Sequence, residues 1–193
     1  CIVCPGFIDV HTHSDAYILL EPEAPSKLYQ GITTEICGNC GASCAPLFGE
    51  ARMPTDWTVH AYPDTWQSVA DYRALVEAVK PAPNVALLVG HNTLRAGAMG
   101  YVDRAATPDE IRLMAYRLEQ ALDEGACGLS SGLVYTPGRY AETGEVIALA
   151  AAVAAHHGIY TSHIRSETSR LIEALDETLD IGRRTGVRVQ VSH

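Results

Sequence analysis

The sequence lacks any run of apolar residues long enough to cross a membrane, although 47% of its 193 residues are hydrophobic. It also has few basic residues: 14 Lys and Arg stand against 23 Asp and Glu, which gives a net charge of −9. No cluster of Lys or Arg offsets this balance, and a surface of that sign repels phosphate backbones. We therefore expect a soluble globular domain that binds neither nucleic acid nor a membrane.

The cysteines do not follow the pattern of a disulfide framework. Of the six present, Cys37, Cys40 and Cys44 lie within eight residues, unlike the spacing found in small secreted domains. No signal-peptide pattern opens the sequence as given. We interpret the cysteines as reduced, expect a cytoplasmic location, and regard some of the thiols as candidate metal ligands.

Strand-like and helix-like segments alternate along the whole chain, as parallel strands joined by crossover helices require. Apolar, β-forming runs predict strands at 7–11, 32–37, 84–90, 126–130, 159–164 and 187–192. Amphipathic patterns predict helices at about 69–79, from Thr107 to Gly125, at 143–157 and before Gly186. The second of these begins with a capping-box pattern, an N-cap Thr107 with Glu110 three residues on. The last one is expected to bury Leu171, Leu175, Leu179 and Gly182.

This alternation fits either a closed barrel or an open doubly wound sheet. The open fold usually carries a glycine-rich phosphate-binding turn, and neither GxGxxG nor GxxxxGK[ST] occurs. The sequence therefore predicts an α/β fold, part of a (β/α)8 TIM-type barrel of parallel strands with outer helices. We expect residues 1–193 to be the N-terminal portion of the barrel domain, with the C-terminal units missing. Residues 45–65, rich in Pro and turn-forming residues, are expected to form an active-site loop.

His11 and His13 carry the strongest functional signal, at the end of the segment PGFIDVHTH. Because strand side chains alternate, Asp9 points to the same side as both histidines. Two imidazoles at the carboxyl end of a first strand can chelate one cation, and barrel enzymes keep their sites at that face. Asp9 would then orient an imidazole or fill the barrel floor.

The second signal is CGNCG at residues 37–41, which follows a predicted strand. A thiolate at a strand end is a good zinc ligand, and Cys40 is the candidate. Two alternatives stay open: a packed, inert cysteine, or a non-catalytic cluster site formed by Cys37, Cys40 and Cys44. The common cluster spacing is C-x3-C-x2-C, the reverse of the order here, and no fourth ligand follows nearby.

His193 ends the last predicted strand, so we expect it at the same barrel face as the first two histidines. Together with His11, His13 and Cys40 it is interpreted as a metal ligand. Four further residues that follow strands or lie in adjoining loops are candidate substrate contacts, although packing alone would also explain them: Tyr135, His163, Arg165 and His91.

Six blocks, in this order, resemble the N-acyl-D-amino-acid deacylase (D-aminoacylase) family of the amidohydrolase superfamily: PGFIDVHTH, GITTEICGNCG, NVALLVGHNTLR, EGACGLSSGLVYTPG, YTSHIR and VQVSH. The resemblance covers essentially the whole chain, and GNCG and SGLVYTPG are more specific than HxH. It implies a barrel beside a small β-sandwich, with Zn²⁺ at the barrel mouth. Cys40 and His193 would hold one tightly bound zinc, and His11 and His13 would face a second, weaker site.

The activity implied by the resemblance is zinc-dependent hydrolysis of the amide bond of a small N-acyl-D-amino acid, which releases a carboxylate and a D-amino acid. The family's further histidine ligand and its proton-handling aspartate are expected beyond residue 193, so we expect the chain alone to be catalytically incomplete. The rival hydrolases are a cyclic-amide hydrolase of the same superfamily and a phosphoesterase, since His-x-His on a barrel strand also serves those enzymes. The GNCG thiolate argues against both, because they usually use oxygen or carbamylated-lysine bridging ligands. The sequence does not define the oligomeric state.

Overall fold

The computed structural model describes residues 3–193, so Cys1 and Ile2 lie outside the described part of the chain. The strands are β1 Phe7–Asp9, β2 Ile32–Cys37, β3 Asn84–Gly90, β4 Gly128–Gly132, β5 Ile159–His163 and β6 Arg188–Val191. The helices are α1 Pro25–Leu28, α2 Thr55–Thr58, α3 Val69–Val79, α4 His91–Met99, α5 Pro108–Asp123, α6 Thr143–Ala155 and α7 Leu171–Thr185. Short 3-10 turns occur at Tyr17–Leu19 and Gly138–Tyr140.

The six strands form one sheet in the order β1-β2-β3-β4-β5-β6, and every neighbouring pair is parallel. Helical segments connect each strand to the next, as parallel pairing requires. The sheet is curled, and it forms part of a (β/α)8 barrel. The predicted fold is therefore confirmed. All carboxyl ends of the strands lie along one edge, and the loops that follow them share a single face.

The core lies between the sheet and the longer helices. The α5 helix starts with the predicted capping box, in which Thr107 and Glu110 exchange side-chain and backbone hydrogen bonds. Successive strand residues alternate between the two faces, so Leu129 joins this core and Ser130 points the other way. The buried helix residues in the core include Met114 and Leu118 of α5, Val146, Leu149 and Val153 of α6, and Ile181 of α7. No helix in the described part of the chain combines the length and the apolarity needed to span a membrane.

Two predicted strands, the first and the fourth, were misplaced by two residues at one or both ends. β1 ends at Asp9, before the predicted end at His11, because the His11 N–H donates to the Asp9 side chain at 3.2 Å instead of continuing a strand ladder. β4 begins two residues later than predicted, because the Ala126 N–H bonds to the Ala121 carbonyl and still belongs to the end of the preceding helix. The strand itself, Gly-Leu-Ser-Ser-Gly, is completely buried.

The predicted buried face of α7 was also wrong. Leu171 and Leu179 are 39% and 45% exposed. The residues that pack inward are Ala174, Thr178 and Ile181. Both sets of residues keep helical spacing, so periodicity alone does not decide which of two neighbouring stripes meets the sheet.

Candidate metal centre

Three potential ligand atoms converge at the carboxyl edge of the sheet. His11 follows β1, Cys40 lies in the turn after β2, and His193 follows β6. The Cys40 Sγ lies 3.3 Å from His11 Nε2 and 3.5 Å from His193 Nε2. Within residues 3–193 they form the one group of three His, Cys, Asp or Glu residues whose ligand atoms all lie within 4.8 Å of one another.

The curl of the sheet brings this group together. β1 and β6 are the two outer strands, five strand spacings apart. In a flat sheet these spacings of about 4.8 Å would separate them by about 24 Å. The imidazole ring centroids of His11 and His193 are instead only 4.6 Å apart. The site therefore depends on the barrel curvature as much as on its side chains.

Two more imidazoles extend the group. The His13 ring stands 5.4 Å from the His11 ring, and the His163 ring stands 4.7 Å from the His193 ring, measured between centroids. We call these four histidines and Cys40 the histidine–thiol cluster. The Nδ1 atom of His163 is buried and has no hydrogen-bond partner among the described residues. The cluster thus offers more nitrogen donors than the three closest atoms alone.

The turn that presents Cys40 is held from both ends by one side chain. Cys40 has a φ of 54°, and the flanking Gly38 and Gly41 have φ values of 78° and 79°, a conformation that glycine adopts without cost. The Ser130 hydroxyl accepts the Gly41 N–H at 3.0 Å and donates to the Gly38 carbonyl. A Cβ at Gly132 would overlap the Cys40 carbonyl oxygen. β4 therefore fixes the path of this turn.

The protonation of the cluster suits a metal ion. Burial, followed by the charges of neighbouring histidines, lowers the pKa of His11, and burial and His193 do the same for His13. Their nitrogens are therefore neutral and free to coordinate at pH 7. Burial raises the pKa of Cys40 to about 11, so its thiol must lose a proton to a metal. Imidazole nitrogen and thiolate sulfur are ligands that zinc prefers.

A cavity of about 790 Å³ opens beside the cluster. This volume lies in the range of small-molecule sites. His13, Cys40 and His193 are part of its wall, so a molecule in the cavity would meet the cluster directly. Residues 52–57, which belong to the segment 45–65 expected to form an active-site loop, build another side of the wall.

The four candidate substrate contacts occupy different surroundings. Tyr135 lines the cavity and stands edge-on to the His163 ring at 4.9 Å between centroids. The structure does not bring His91 to the cavity: it is fully buried, and its Nε2 is 2.7 Å from Glu145 Oε1. Arg165 is also held away, because its guanidinium pairs with Glu177 at 2.9 Å. Of the four candidates, the loop residue Tyr135 and the strand-end residue His163 lie at the site, whereas His91 and Arg165 do not.

The alternative of a cysteine cluster does not fit the geometry. The Cys37 Sγ lies 3.4 Å from Ser14 Oγ, Cys44 is fully buried, and the three thiols do not form a ligand group within the described residues. Burial raises the pKa of both Cys37 and Cys44 well above the ordinary value, so both remain neutral thiols. They pack as small apolar side chains.

Sequence reasoning missed the residues that support and line the site. Ser130 belongs to a strand of small residues that lacks the usual β-forming side chains, so no periodicity marks it. Asn92 and Thr93 line the cavity from the start of α4, and the only signal for them is their position directly after β3.

A parallel barrel segment with an imidazole–thiol ligand set at its strand ends is typical of metal-dependent hydrolases built on this scaffold. Comparison with known proteins agrees: the model of the amidohydrolase family matches residues 1–187. The chain belongs to the amidohydrolase family.

Individual relatives are similar over the whole chain. A D-aminoacylase of Alcaligenes xylosoxydans xylosoxydans is 42% identical over 193 residues, which is 100% of this chain and 40% of the relative. A crystal structure of N-acyl-D-glutamate deacylase from Bordetella bronchiseptica, with zinc and a phosphonate mimic of the tetrahedral intermediate, matches with a TM-score of 0.90 at 41% identity, covering 98% of this chain and 40% of that one. A D-aminoacylase structure from work on its binuclear metal centre, with one-metal activation and second-metal attenuation, matches with a TM-score of 0.90 at 40% identity and the same coverage. The chain spans about 40% of the length of these relatives.

Proposed function

We propose that this chain forms the metal-binding part of a zinc-dependent N-acyl-D-amino-acid deacylase, which hydrolyses the amide bond and releases a carboxylate and a D-amino acid. The observation that carries the proposal is the convergence of Cys40 Sγ with the Nε2 atoms of His11 and His193 beside a cavity. Relatives at 40–42% identity with this specificity support it. Because the chain spans about 40% of them, the activity is proposed for the protein as a whole.

Cys40 lies between two groups of imidazoles, which defines how one or two ions would be held. We propose that Cys40 and His193 hold the tightly bound zinc, with His163 beside them as a further donor. His11 and His13, on the other side of the Cys40 sulfur, would face a second and weaker site. The binuclear centre of the related D-aminoacylase supports two positions.

Zinc supplies Lewis acidity, polarising an amide carbonyl and making water a nucleophile at neutral pH. The protein supplies orientation. Neutral imidazoles keep their nitrogen lone pairs available at pH 7. Tyr135, on the cavity wall, is positioned to contact the substrate, and residues 52–57 enclose it from another side. Asn92 and Thr93 add polar groups to a cavity wall that contains both polar and apolar side chains.

Zinc binding by the purified chain tests the metal assignment. We expect about one equivalent of tightly bound zinc per chain, lost when Cys40→Ala removes the sulfur. The matched control is Cys127→Ala, since Cys127 contacts the Leu87 carbonyl on β3 and lies outside the cluster. Equal zinc content in Cys40→Ala and the unchanged chain would reject the ligand set, as would equal loss in both variants.

Activity of the whole protein tests the substrate assignment. N-acetyl-D-amino acids, their L-enantiomers, hydantoins and phosphoesters would be compared at equal concentration in the zinc-loaded protein. We expect hydrolysis of the D-amides, with the L-amides, hydantoins and phosphoesters at background. Preferential opening of hydantoins would instead assign the protein to the cyclic-amide hydrolases.

We also propose a cytoplasmic location and a small-molecule substrate as the main partner. The five cysteines in the described part of the chain are unpaired, and Cys40 is a metal ligand only as a reduced thiolate. The net charge of −9 disfavours nucleic acid. Cell fractionation that recovered the protein in an oxidising compartment would contradict the location.

A further inference from the structure

Lys27 contacts the segment that carries His11 and His13. It belongs to the short helix α1, and its ammonium group lies close to three oxygens outside that helix. Its Nζ lies 2.7 Å from Asp9 Oδ2, 3.0 Å from Thr12 Oγ1 and 3.2 Å from Glu35 Oε1. A single side chain thus joins the end of β1, the loop after it and the neighbouring strand β2.

Two of these contacts reach residues close to His11 in the chain: Asp9, two positions before it, and Thr12, directly after it. The second carboxylate oxygen of Asp9 accepts the His11 N–H at 3.2 Å. The Thr12 N–H bonds to the Ile36 carbonyl on β2 at 3.3 Å. The His11 backbone is therefore held on both sides. Lys27 contacts the Asp9 carboxylate that accepts the His11 N–H, and the hydroxyl of Thr12, whose own N–H bonds to β2. It does not touch the imidazole itself.

The carboxylates of Asp9 and Glu35 make the replacement of Lys27 by a neutral residue unfavourable. Glu35 is fully buried, and its other oxygen accepts the Ser14 hydroxyl at 2.6 Å. Burial would lower the pKa of Lys27, but the hydrogen bond to Asp9 and the charge of Glu35 outweigh it, so this pKa is raised. Without the ammonium group, two carboxylates would share a partly buried space with no counter-charge. The sequence has one other lysine, the exposed Lys80.

We infer that Lys27 is a positioning residue for the metal centre, fixing the His11 imidazole toward Cys40 through Asp9 and Thr12. The inference rests on the proposed zinc site. A residue that orients a ligand from outside the coordination sphere typically changes metal affinity 10- to 100-fold when it is removed. A general folding role would act on stability without a specific effect at His11.

The decisive variant removes the ammonium without leaving an unpaired buried charge: Lys27→Met combined with Glu35→Gln. Lys27→Arg keeps the charge, and Lys80→Met is the matched control for loss of a lysine. In the metal-free chain, hydrogen exchange of the His11 and Thr12 amides would be followed by NMR. In the same preparations, the zinc dissociation constant and the thiolate charge-transfer band of the cobalt-substituted chain would be measured.

For the double variant we expect amide exchange at His11 at least about 10-fold faster. We expect the dissociation constant of the second, weaker zinc, which His11 would face, to be about 10- to 100-fold higher. We expect Lys27→Arg to fall closer to the unchanged chain and Lys80→Met to match it. Exchange, zinc affinity and cobalt spectrum all unchanged in the double variant would overturn the inference. If the unchanged chain binds no zinc, the proposed function fails, while the exchange measurement still decides whether Lys27 positions His11.

Discussion

Zinc binding should release one proton from Cys40, and the raised pKa of this thiol sets the free-energy cost of that release. Burial raises the pKa of this thiol to about 11. At pH 7.5 that leaves about 3.5 pH units, or about 5 kcal/mol, to be overcome when the thiolate forms. The coordination energy of the metal must supply it. Apparent zinc affinity should therefore rise about tenfold for each pH unit until the pH approaches 11.

His11 and His13 add little to this pH dependence. The pKa values of His11 and His13 are lowered below 6.5, so both rings are already neutral above pH 7.5. From pH 7.5 to pH 9.0 we expect the zinc dissociation constant to fall about 30-fold. A cysteine with an ordinary pKa of about 8.5 would give only about eightfold over the same range, because most of it is ionised by pH 9.

The assay is calorimetric titration with zinc, buffered by a competing chelator to keep the metal in solution. Buffers of different ionisation heat report the number of protons released, which we expect to be about one at pH 7.5. Cys40→Asp is the control, since an aspartate is already ionised and tolerates the left-handed backbone at this position. A pH-independent affinity with no proton release would refute the assignment of Cys40 as a ligand.

Four further predictions follow from individual contacts. Glu145→Gln should destabilise the chain by about 3–5 kcal/mol in urea unfolding, because it leaves the fully buried Arg95 without its counter-charge; a loss below about 1 kcal/mol would contradict this. In the unchanged chain, burial raises the Glu145 pKa, but the hydrogen bonds and charges of His91 and Arg95 outweigh it, so the folded-state pKa is lowered. Acid unfolding should therefore show this stabilisation being lost as the pH falls below about 4.5. Ser130→Ala should lower the free energy of unfolding in urea by about 1–3 kcal/mol and weaken zinc binding, because it leaves the Gly41 N–H and the Gly38 carbonyl without their hydrogen-bond partner. Unchanged zinc affinity would show that the turn keeps its conformation without Ser130. Gly132→Ala should displace the same turn and reduce zinc content measured by atomic absorption, whereas full zinc content would mean that β4 yields instead.

The sequence predicted the fold well because its signals were local. The capping box at Thr107 and Glu110 uses contacts within one helical turn, and the structure contains it as predicted. The buried face of α7 depends on packing against the sheet, so the leucine stripe that includes Leu171 was misassigned. Sequence periodicity identifies an amphipathic helix, but it does not define the rotation of the helix about its axis closely enough to tell which of two neighbouring stripes faces the sheet.

The candidate site was predictable only in part, for a related reason. His91 and His163 both lie at the carboxyl end of a strand in the sequence. One turns into a buried pair with Glu145 and the other faces the cluster. The orientation of His91 depends on Glu145, more than 50 residues away in the chain. The orientation of His163 depends on its contact with the His193 ring. Strand-end position therefore identifies candidates, and the tertiary partner decides among them.

The same geometry links the metal site to the architecture. His11 and His193 follow the two outer strands of the described sheet, yet Cys40 lies within 3.5 Å of both. Zinc bound by Cys40 and His193, together with a second ion at His11, would connect the first strand to the sixth without any backbone hydrogen bond between them. The zinc-binding free energy would then depend on how close the curl of the sheet already brings the ligand atoms. If the sheet were less curled, part of the coordination energy would be used to bring the ligands together. The contacts that fix β1 against β2 and the Cys40 turn against β4 act on that distance. For this reason residues that touch no metal, such as Lys27 and Ser130, are expected to influence zinc affinity.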